Sequence, residues 1–318
     1  MSNDTIHIAL GVDNNYFPYA GILITSILLN SPENNIIFHI ALNEILSDDN
    51  RKKCSKFNNI YKNAQIKIYD LSEQIDKLPN LSIYTDKRFN KSILLRLLLP
   101  KMLDTAIKKI IYIDADMLCI NNIETLWNMD IAANIIGACP YKEKNGQEQI
   151  KRLGLKNNQY FNSGMMIMNL RAWQEKNITE IIVECYSKFY EFFLLPDQDA
   201  INIVLQGNIQ KLSFKFNRML AANNRLLAAY ERDDILLHFV NEAKPWLDGN
   251  TAAIDELYKK YMHQSLWNDI KFIEPDTAEL MILAGENYEQ KKDYKKAAHY
   301  YKKAAKQLFT ENLQDNND

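Results

Sequence analysis

Cysteine is scarce and scattered: Cys54, Cys119, Cys139 and Cys185 lie far apart, and no two form a Cys-x-x-Cys pair. That pattern excludes a zinc ribbon or a disulfide framework and fits buried thiols in a reducing compartment. Net charge is nearly absent, at -2, so nothing electrostatic favours nucleic acid as a partner. No apolar run approaches the length of a membrane span; the most apolar stretch, Ile93–Leu99, is interrupted by Arg96. No basic segment followed by an apolar core stands near residue 1, so no secretory signal is expected. The expected location is the cytoplasm, with peripheral attachment to the inner face of the membrane left open. A glycine-rich phosphate loop is missing as well. Leu10-Gly11-Val12-Asp13 is not one, which counts against a sugar nucleotidyltransferase.

What is present describes an ordinary globular protein: 318 residues, 47% hydrophobic and 25% charged. Strands are expected at Ile6–Val12, Ile36–Leu42, Ile66–Leu71, Ile110–Ile113, Ile135–Cys139, Met165–Leu170, Ile209–Phe214 and Ile235–Phe239. Helical spacing falls between them: Phe17, Ala20, Ile24, Ile27 and Leu28, then a helix capped by Ser47, then Lys91–Leu99, Ile178–Phe193 and Asp197–Leu205. Residues 141–159 read as a long loop or small helix. Alternation of apolar strands with helices predicts an α/β fold on a mainly parallel sheet, covered on both faces. From about Thr251 helix formers take over. Ala284, Tyr288, Tyr294, Ala297, Ala298, Tyr301 and Ala304 suggest a tetratricopeptide-like helix pair near 276–309. One such pair cannot bury a solenoid core, so it is expected to pack against the main domain or a second copy. The division expected is 1–250 and 251–318.

The chemistry concentrates where the strand Ile110–Ile113 ends, at Asp114-Ala115-Asp116. Alternate residues of an extended segment project to one side, so the two carboxylates can share a divalent cation. Chance alone yields roughly one or two Asp-x-Asp triplets in such a chain. A second does occur, at Asp197-Gln198-Asp199. Company must therefore decide.

That company is Val12-Asp13-Asn14-Asn15-Tyr16, Arg96, Tyr112-Ile113-Asp114-Ala115-Asp116, Phe161-Asn162-Ser163-Gly164, Asp197-Gln198-Asp199, and His238-Phe239 followed by Lys244-Pro245-Trp246. Together and in this order, over roughly residues 5–247, the pieces resemble the family eight glycosyltransferases. These are retaining, nucleotide-sugar-dependent enzymes of the Rossmann-like GT-A fold, and they include bacterial lipopolysaccharide glucosyl- and galactosyltransferases. The resemblance implies Asp114, Asp116 and His238 as ligands of Mn²⁺ or Mg²⁺, with Ala115 between the two carboxylates at the donor. It implies Asp13, Asn15 and Tyr16 at the uridine, Lys244 at the diphosphate, and Arg96 at the donor sugar and the aspartates. Asn162, Ser163, Gly164 and Asp197 would line the sugar pocket, with Gln198 near the anomeric carbon. An amide is a poor nucleophile, which favours same-face attack by the acceptor; a two-step route through Asp199 is the competing mechanism.

The expected function is transfer of glucose or galactose from a UDP-sugar to a bacterial surface glycan such as lipo-oligosaccharide core, lipid-linked. Protein or another polysaccharide is the alternative acceptor, and a non-catalytic scaffold on this fold the alternative class. Three positions depart from the family pattern. Ser163 replaces a frequent Ala, Asn241 replaces a frequent Gly between His238 and Lys244, and Tyr141 stands where galactosyltransferase relatives carry an acidic residue near the acceptor. The acceptor is thus expected to differ from theirs. The lysines of the tail, Lys291 to Lys303, read as a solvated helix face, with homo-oligomerisation through the tail left open.

Overall fold

The computed structural model describes residues 5–82, 85, 89–131, 133–141, 143–220, 230–240, 242–250 and 252–315, side chains apart at 143–145 and 311–315. The chain divides into two compact units, Met1–Arg218 with Glu231–His238, and Met219–Tyr230 with Phe239–Asp318. None of the described helices is long and apolar enough to cross a membrane.

The first unit is built on seven strands: β1 (Ile6–Val12), β2 (Ile36–Leu42), β3 (Ala64–Asp70), β4 (Lys109–Ile113), β6 (Ile136–Pro140), β7 (Phe161–Asn169) and β8 (Ile209–Lys211), with the short β5 (Met117–Cys119) outside them. The order is β3-β2-β1-β4-β7-β6-β8. All neighbours run parallel except β7, which is antiparallel to both β4 and β6. The alternation of apolar strands and helices thus produces the mostly parallel α/β sheet that the sequence predicts.

Helices cover it. α1 (Phe17–Asn30) is apolar nearly all round and is buried from Phe17 through Leu28 apart from Pro18 in its first turn. α2 (Asp48–Ile60) starts where Ser47 accepts the Asn50 N–H at 3.3 Å, with Asp48 and Asp49 in its first turn. The segment expected as one helix over Lys91–Leu99 begins as a 3₁₀ turn, Lys91–Leu94, before the α-helix Leu95–Met102. Residues 141–159 contain the helix Glu143–Leu153, and the helix Pro196–Val204 carries the second Asp-x-Asp triplet.

Two boundaries differ from expectation in ways that matter. β7 begins at Phe161, not Met165, because Asn162 and Ser163 satisfy their side chains through partners distant in sequence instead of reading as a turn. The last strand is short, Leu236–His238, and pairs antiparallel with β5, His238 opposite Met117. Those pairings bring the chemistry together. β7 runs past the end of β4, so the Asp114 N–H reaches the Gly164 carbonyl at 2.8 Å, and His238 arrives one residue from Asp116 in register.

The second unit holds the helices Ala253–Gln264, Ala278–Gln290 and Tyr294–Asp315. The last two pack through Ala284, Tyr288, Ala297 and Tyr300, with Met281 and Tyr301 beside them. Tyr294, expected in that seam, is 64% exposed; Tyr300 takes the buried place, since the seam follows the actual helix phase. Tyr288 and Tyr300 stack with centroids 5.9 Å apart, and both hydroxyls donate to Asp248 at 2.6 Å. Burial opposes the charge of Asp248, but these two phenols and the Gly249 N–H hold its carboxyl below the usual range.

Candidate active site

Asp114 is the first residue beyond β4, and Arg96 is the buried cation on the apolar helix facing it. Arg96 donates to both oxygens of Asp114 at 2.7 and 3.3 Å, to the carbonyl and hydroxyl oxygens of Ser163 at 3.0 Å each, and lies 3.0 Å from an Asp197 oxygen. Its guanidinium also sits over the Tyr112 ring, 4.8 Å from the centroid. Burial works against its charge, but Asp114 and Asp197 outweigh burial and raise its pKa. A guanidinium in an apolar helix is tolerated here because each face of its fork meets an acceptor.

For Asp114, burial dominates and pushes the carboxyl up to about 6; Asp116 and Asp197 add to the rise, while Arg96 and His238 oppose it. The Tyr112 hydroxyl donates to the same carboxylate at 3.0 Å.

Asp116 faces His238, whose Nε2 lies 3.3 Å from an Asp116 oxygen. Asp114, Asp116 and His238 each offer one ligand atom, all within 4.8 Å of one another. Ligands of one divalent cation stand up to about 4–5 Å apart, twice a metal–ligand bond, so this spacing and the donor set fit such an ion. Gly164 leaves the room: a Cβ there would lie 2.5 Å from His238 Cε1 and 2.8 Å from an Asp114 oxygen.

Below this cluster lies the second triplet. Asp197 accepts from the Ser163 hydroxyl at 2.9 Å. The Gln198 carbonyl oxygen accepts from the Ser163 N–H at 3.0 Å and from Asn162 Nδ2 at 3.1 Å, and its amide nitrogen donates to the Tyr160 hydroxyl at 2.8 Å. Asp199 is fully buried and accepts from Tyr160 at 2.5 Å, Arg152 at 2.7 Å, and the Leu194 and Leu195 N–H groups at 3.0 and 3.2 Å.

The segment after β1 is arranged as a turn. Asp13 accepts the Tyr16 N–H at 2.7 Å with one oxygen and Asn90 Nδ2 at 2.8 Å with the other. Asn15 is exposed. Tyr16 leaves 40% of its surface exposed and meets Tyr19 edge-on at 5.4 Å; its phenol is nevertheless raised, by burial first and then by the charge of Asp116. Ala115 is buried between the two aspartates. Lys244, in the second unit, donates to the Phe239 carbonyl at 2.6 Å. Asn241 lies outside the described residues.

The structure thus joins Arg96, Asp114, Asn162, Ser163, Gly164 and the second triplet in one bonded cluster, and sets Asp116 and His238 beside it. Four participants carried no signal in the sequence: Tyr160, Arg152, Asn90, and Asn217, whose side chain meets His238 Nδ1 at 3.0 Å and the Asn162 oxygen at 2.7 Å. Of these only Tyr160, immediately before Phe161-Asn162-Ser163-Gly164, stood next to a motif.

Known proteins share this arrangement of chain. At 26% identity the sequence aligns over 84% of its length with 96% of general stress protein A of Bacillus subtilis. At 23% identity it aligns over 94% with 90% of the lipopolysaccharide 1,3-galactosyltransferase of Salmonella typhimurium. Among solved structures, galactosyltransferase LgtC with donor and acceptor sugar analogs superposes with a TM-score of 0.70 at 23% identity, covering 82% of this chain and 96% of that one. The family model described as glycosyl transferase family 8 matches residues 7–250, well over half of the sequence, and the chain belongs to that family.

Proposed function

We propose that the protein is a configuration-retaining, divalent-metal-dependent hexosyltransferase that moves glucose or galactose from a UDP-sugar to a bacterial surface glycan, lipopolysaccharide core being the favoured class. The observation that carries the reading is the closure of Asp114, Asp116 and His238 to within 4.8 Å beside Gln198's hydrogen-bonded pocket. Mn²⁺ suits two carboxylates and an imidazole better than Mg²⁺, because it accepts nitrogen more readily. Such an ion, when bound, offsets the negative charge that grows on a leaving diphosphate.

The chain's own residues do the rest. Arg96 fixes Asp114 and Asp197 at once, so the metal-side and sugar-side carboxylates keep a constant separation. Asp13, Asn15 and Tyr16 are assigned to the uridine, Lys244 to the diphosphate, and Asn162, Ser163, Gly164 and Asp197 to the sugar. Gln198 has both ends of its amide engaged, which suits a group that frames the anomeric centre rather than attacks it. Asp199 is buried under four donors, and that burial favours same-face attack over a two-step route through Asp199. In the favoured route the acceptor oxygen bonds to the anomeric carbon as the phosphate oxygen leaves on the same face and takes the acceptor proton.

A cavity of about 550 Å³ lined by Tyr141, Tyr160, Phe214, Gln147, Asn158 and Lys211 supports a glycan acceptor. Rings to stack on sugars and amides to bond hydroxyls meet there, and Tyr160 joins the cavity to Gln198. The acceptor is assigned as lipid-linked and the protein to the cytoplasm. Proton NMR of the product formed from UDP-glucose or UDP-galactose on lipopolysaccharide core oligosaccharide tests the reading. An α-configured hexose supports retention; a β-anomer, or no transfer from either donor, overturns it.

A further inference from the structure

His238, Asn217, Asn162, Gln198, Tyr160 and Asp199 are each at most 5% exposed and form one hydrogen-bonded line. His238 Nδ1 meets the Asn217 side-chain oxygen at 3.0 Å, and Asn217 Nδ2 meets the Asn162 oxygen at 2.7 Å. Asn162 Nδ2 meets Gln198, Gln198 meets Tyr160, and Tyr160 meets Asp199.

The direction of this line follows from groups that can only donate or only accept. Backbone N–H groups are obligate donors: that of Gly164 points at the Asn162 oxygen at 3.0 Å, and that of Ser163 at the Gln198 oxygen at 3.0 Å. Neither amide can therefore be turned over. The Asn162 oxygen faces Asn217, so Asn217 must present its NH₂ there and its oxygen to the histidine. An amide oxygen accepts only, so Nδ1 of His238 must carry the proton. In the neutral ring Nε2 then carries the lone pair, on the side of Asp116, 3.3 Å away. At the far end the Gln198 NH₂ can only donate, so the Tyr160 hydroxyl accepts from it and donates to Asp199, in the same sense.

We propose that Asn217 is a positioning residue that fixes the Nδ1–H tautomer and ring orientation of His238, with the backbone donors of Ser163 and Gly164 setting its polarity. The inference rests on the metal-binding reading only for its consequence, since a ligating imidazole needs an outer partner on its other nitrogen. It also ties the histidine to the pocket of Gln198 through Asn162, so the metal side and the sugar side share one orientation.

Two measurements test it on the full chain. Nitrogen-15 NMR of wild-type protein at alkaline pH, without metal, is expected to show His238 with a protonated Nδ1 and a bare Nε2. The opposite tautomer overturns the proposal whether or not any variant folds. Calorimetric titration with Mn²⁺ alone is expected to show Asn217→Ala weakened about 10- to 100-fold, the usual effect of losing an outer-shell partner. Asn217→Asp keeps an acceptor for Nδ1–H but loses the donor to the Asn162 oxygen, so it is expected to bind Mn²⁺ more weakly than wild type and more tightly than Asn217→Ala. An Asn217→Asp protein no better than Asn217→Ala overturns the tautomer role. Wild-type affinity in a folded Asn217→Ala protein, judged by its circular dichroism, overturns the proposal. Wild type that binds no Mn²⁺ but shows the Nδ1–H tautomer overturns the metal reading alone and supports the orientation.

Discussion

Arg96 holds Asp114 through both prongs of its guanidinium, at 2.7 and 3.3 Å, in a place where the arginine is 6% exposed. The pair stands between the end of β4 and the second Asp-x-Asp triplet, and removing the cation leaves Asp114 and Asp197 facing each other. Arg96→Met is expected to cost about 3 kcal/mol near pH 7.5, the usual penalty for an uncompensated buried charge. The sign with pH follows. Without the guanidinium the carboxyl of Asp114, already raised to about 6, rises further above its unfolded value. Such a group favours the folded chain below its unfolded pKa and loses that contribution as pH rises through the folded one. Urea unfolding should therefore find the penalty smaller at pH 5 than at pH 7.5; a penalty independent of pH contradicts the assignment.

Gly164 is pressed by His238 and Asp114. Gly164→Ala would put a methyl carbon 2.5 Å from His238 Cε1, forcing the ring or β7 to move. A stability loss of about 1–3 kcal/mol is expected, with Mn²⁺ affinity reduced at least about tenfold as the ligands part. Unchanged affinity by calorimetry would show that the three side chains do not share an ion.

The first unit carries a second polar line, away from the site. His7 Nδ1 meets His39 Nε2 at 2.9 Å, and His39 Nδ1 meets the Tyr69 hydroxyl at 2.8 Å. Burial first, then His7 and Lys67, push His39 down to about 3. A depressed base leaves the native state short of a proton that the unfolded chain takes up below its ordinary 6.5. Stability is therefore complete above 6.5 and falls by about 1.4 kcal/mol per pH unit as pH drops towards 3. His39→Gln should lessen the measured slope between pH 4.5 and 6 by one proton; an identical slope would show that His39 ionises normally in the fold.

In the second unit, Asp248 gathers the Tyr288 and Tyr300 hydroxyls. Asp248→Ala removes the common acceptor, and faster hydrogen exchange is expected in Ala278–Gln290 and Tyr294–Asp315 than elsewhere in the chain. Exchange that stays at the wild-type rate in both helices would mean their apolar seam suffices.

How much of this was legible in the sequence depended on range. The cap at Ser47 and the strands Ile6–Val12 and Ile36–Leu42 are local patterns, and they appear where periodicity puts them. The start of β7 was not legible, because Asn162 and Ser163 look like turn residues until their bonds to Gln198 and Asp197 are known. Tyr300 was missed because the buried face of the last helix runs through Ala297, Tyr300 and Ala304, while Tyr294 stands exposed at the first residue of that helix. Six motif pieces were readable as company in one order, and the fold joins most of them directly. Asn217 had no company: its meaning comes only from His238 on one side and Asn162 on the other.

The central claim is that Asp114, Asp116 and His238 hold one divalent ion that hexosyl transfer requires. UDP release from UDP-glucose and UDP-galactose, followed with Mn²⁺ and with chelator in wild type, Asp116→Ala and His238→Ala, tests it most directly. Release that needs Mn²⁺ in wild type and falls at least about 100-fold in both variants is the expected result. Turnover indifferent to chelator, or a His238→Ala protein as active as wild type, would contradict it.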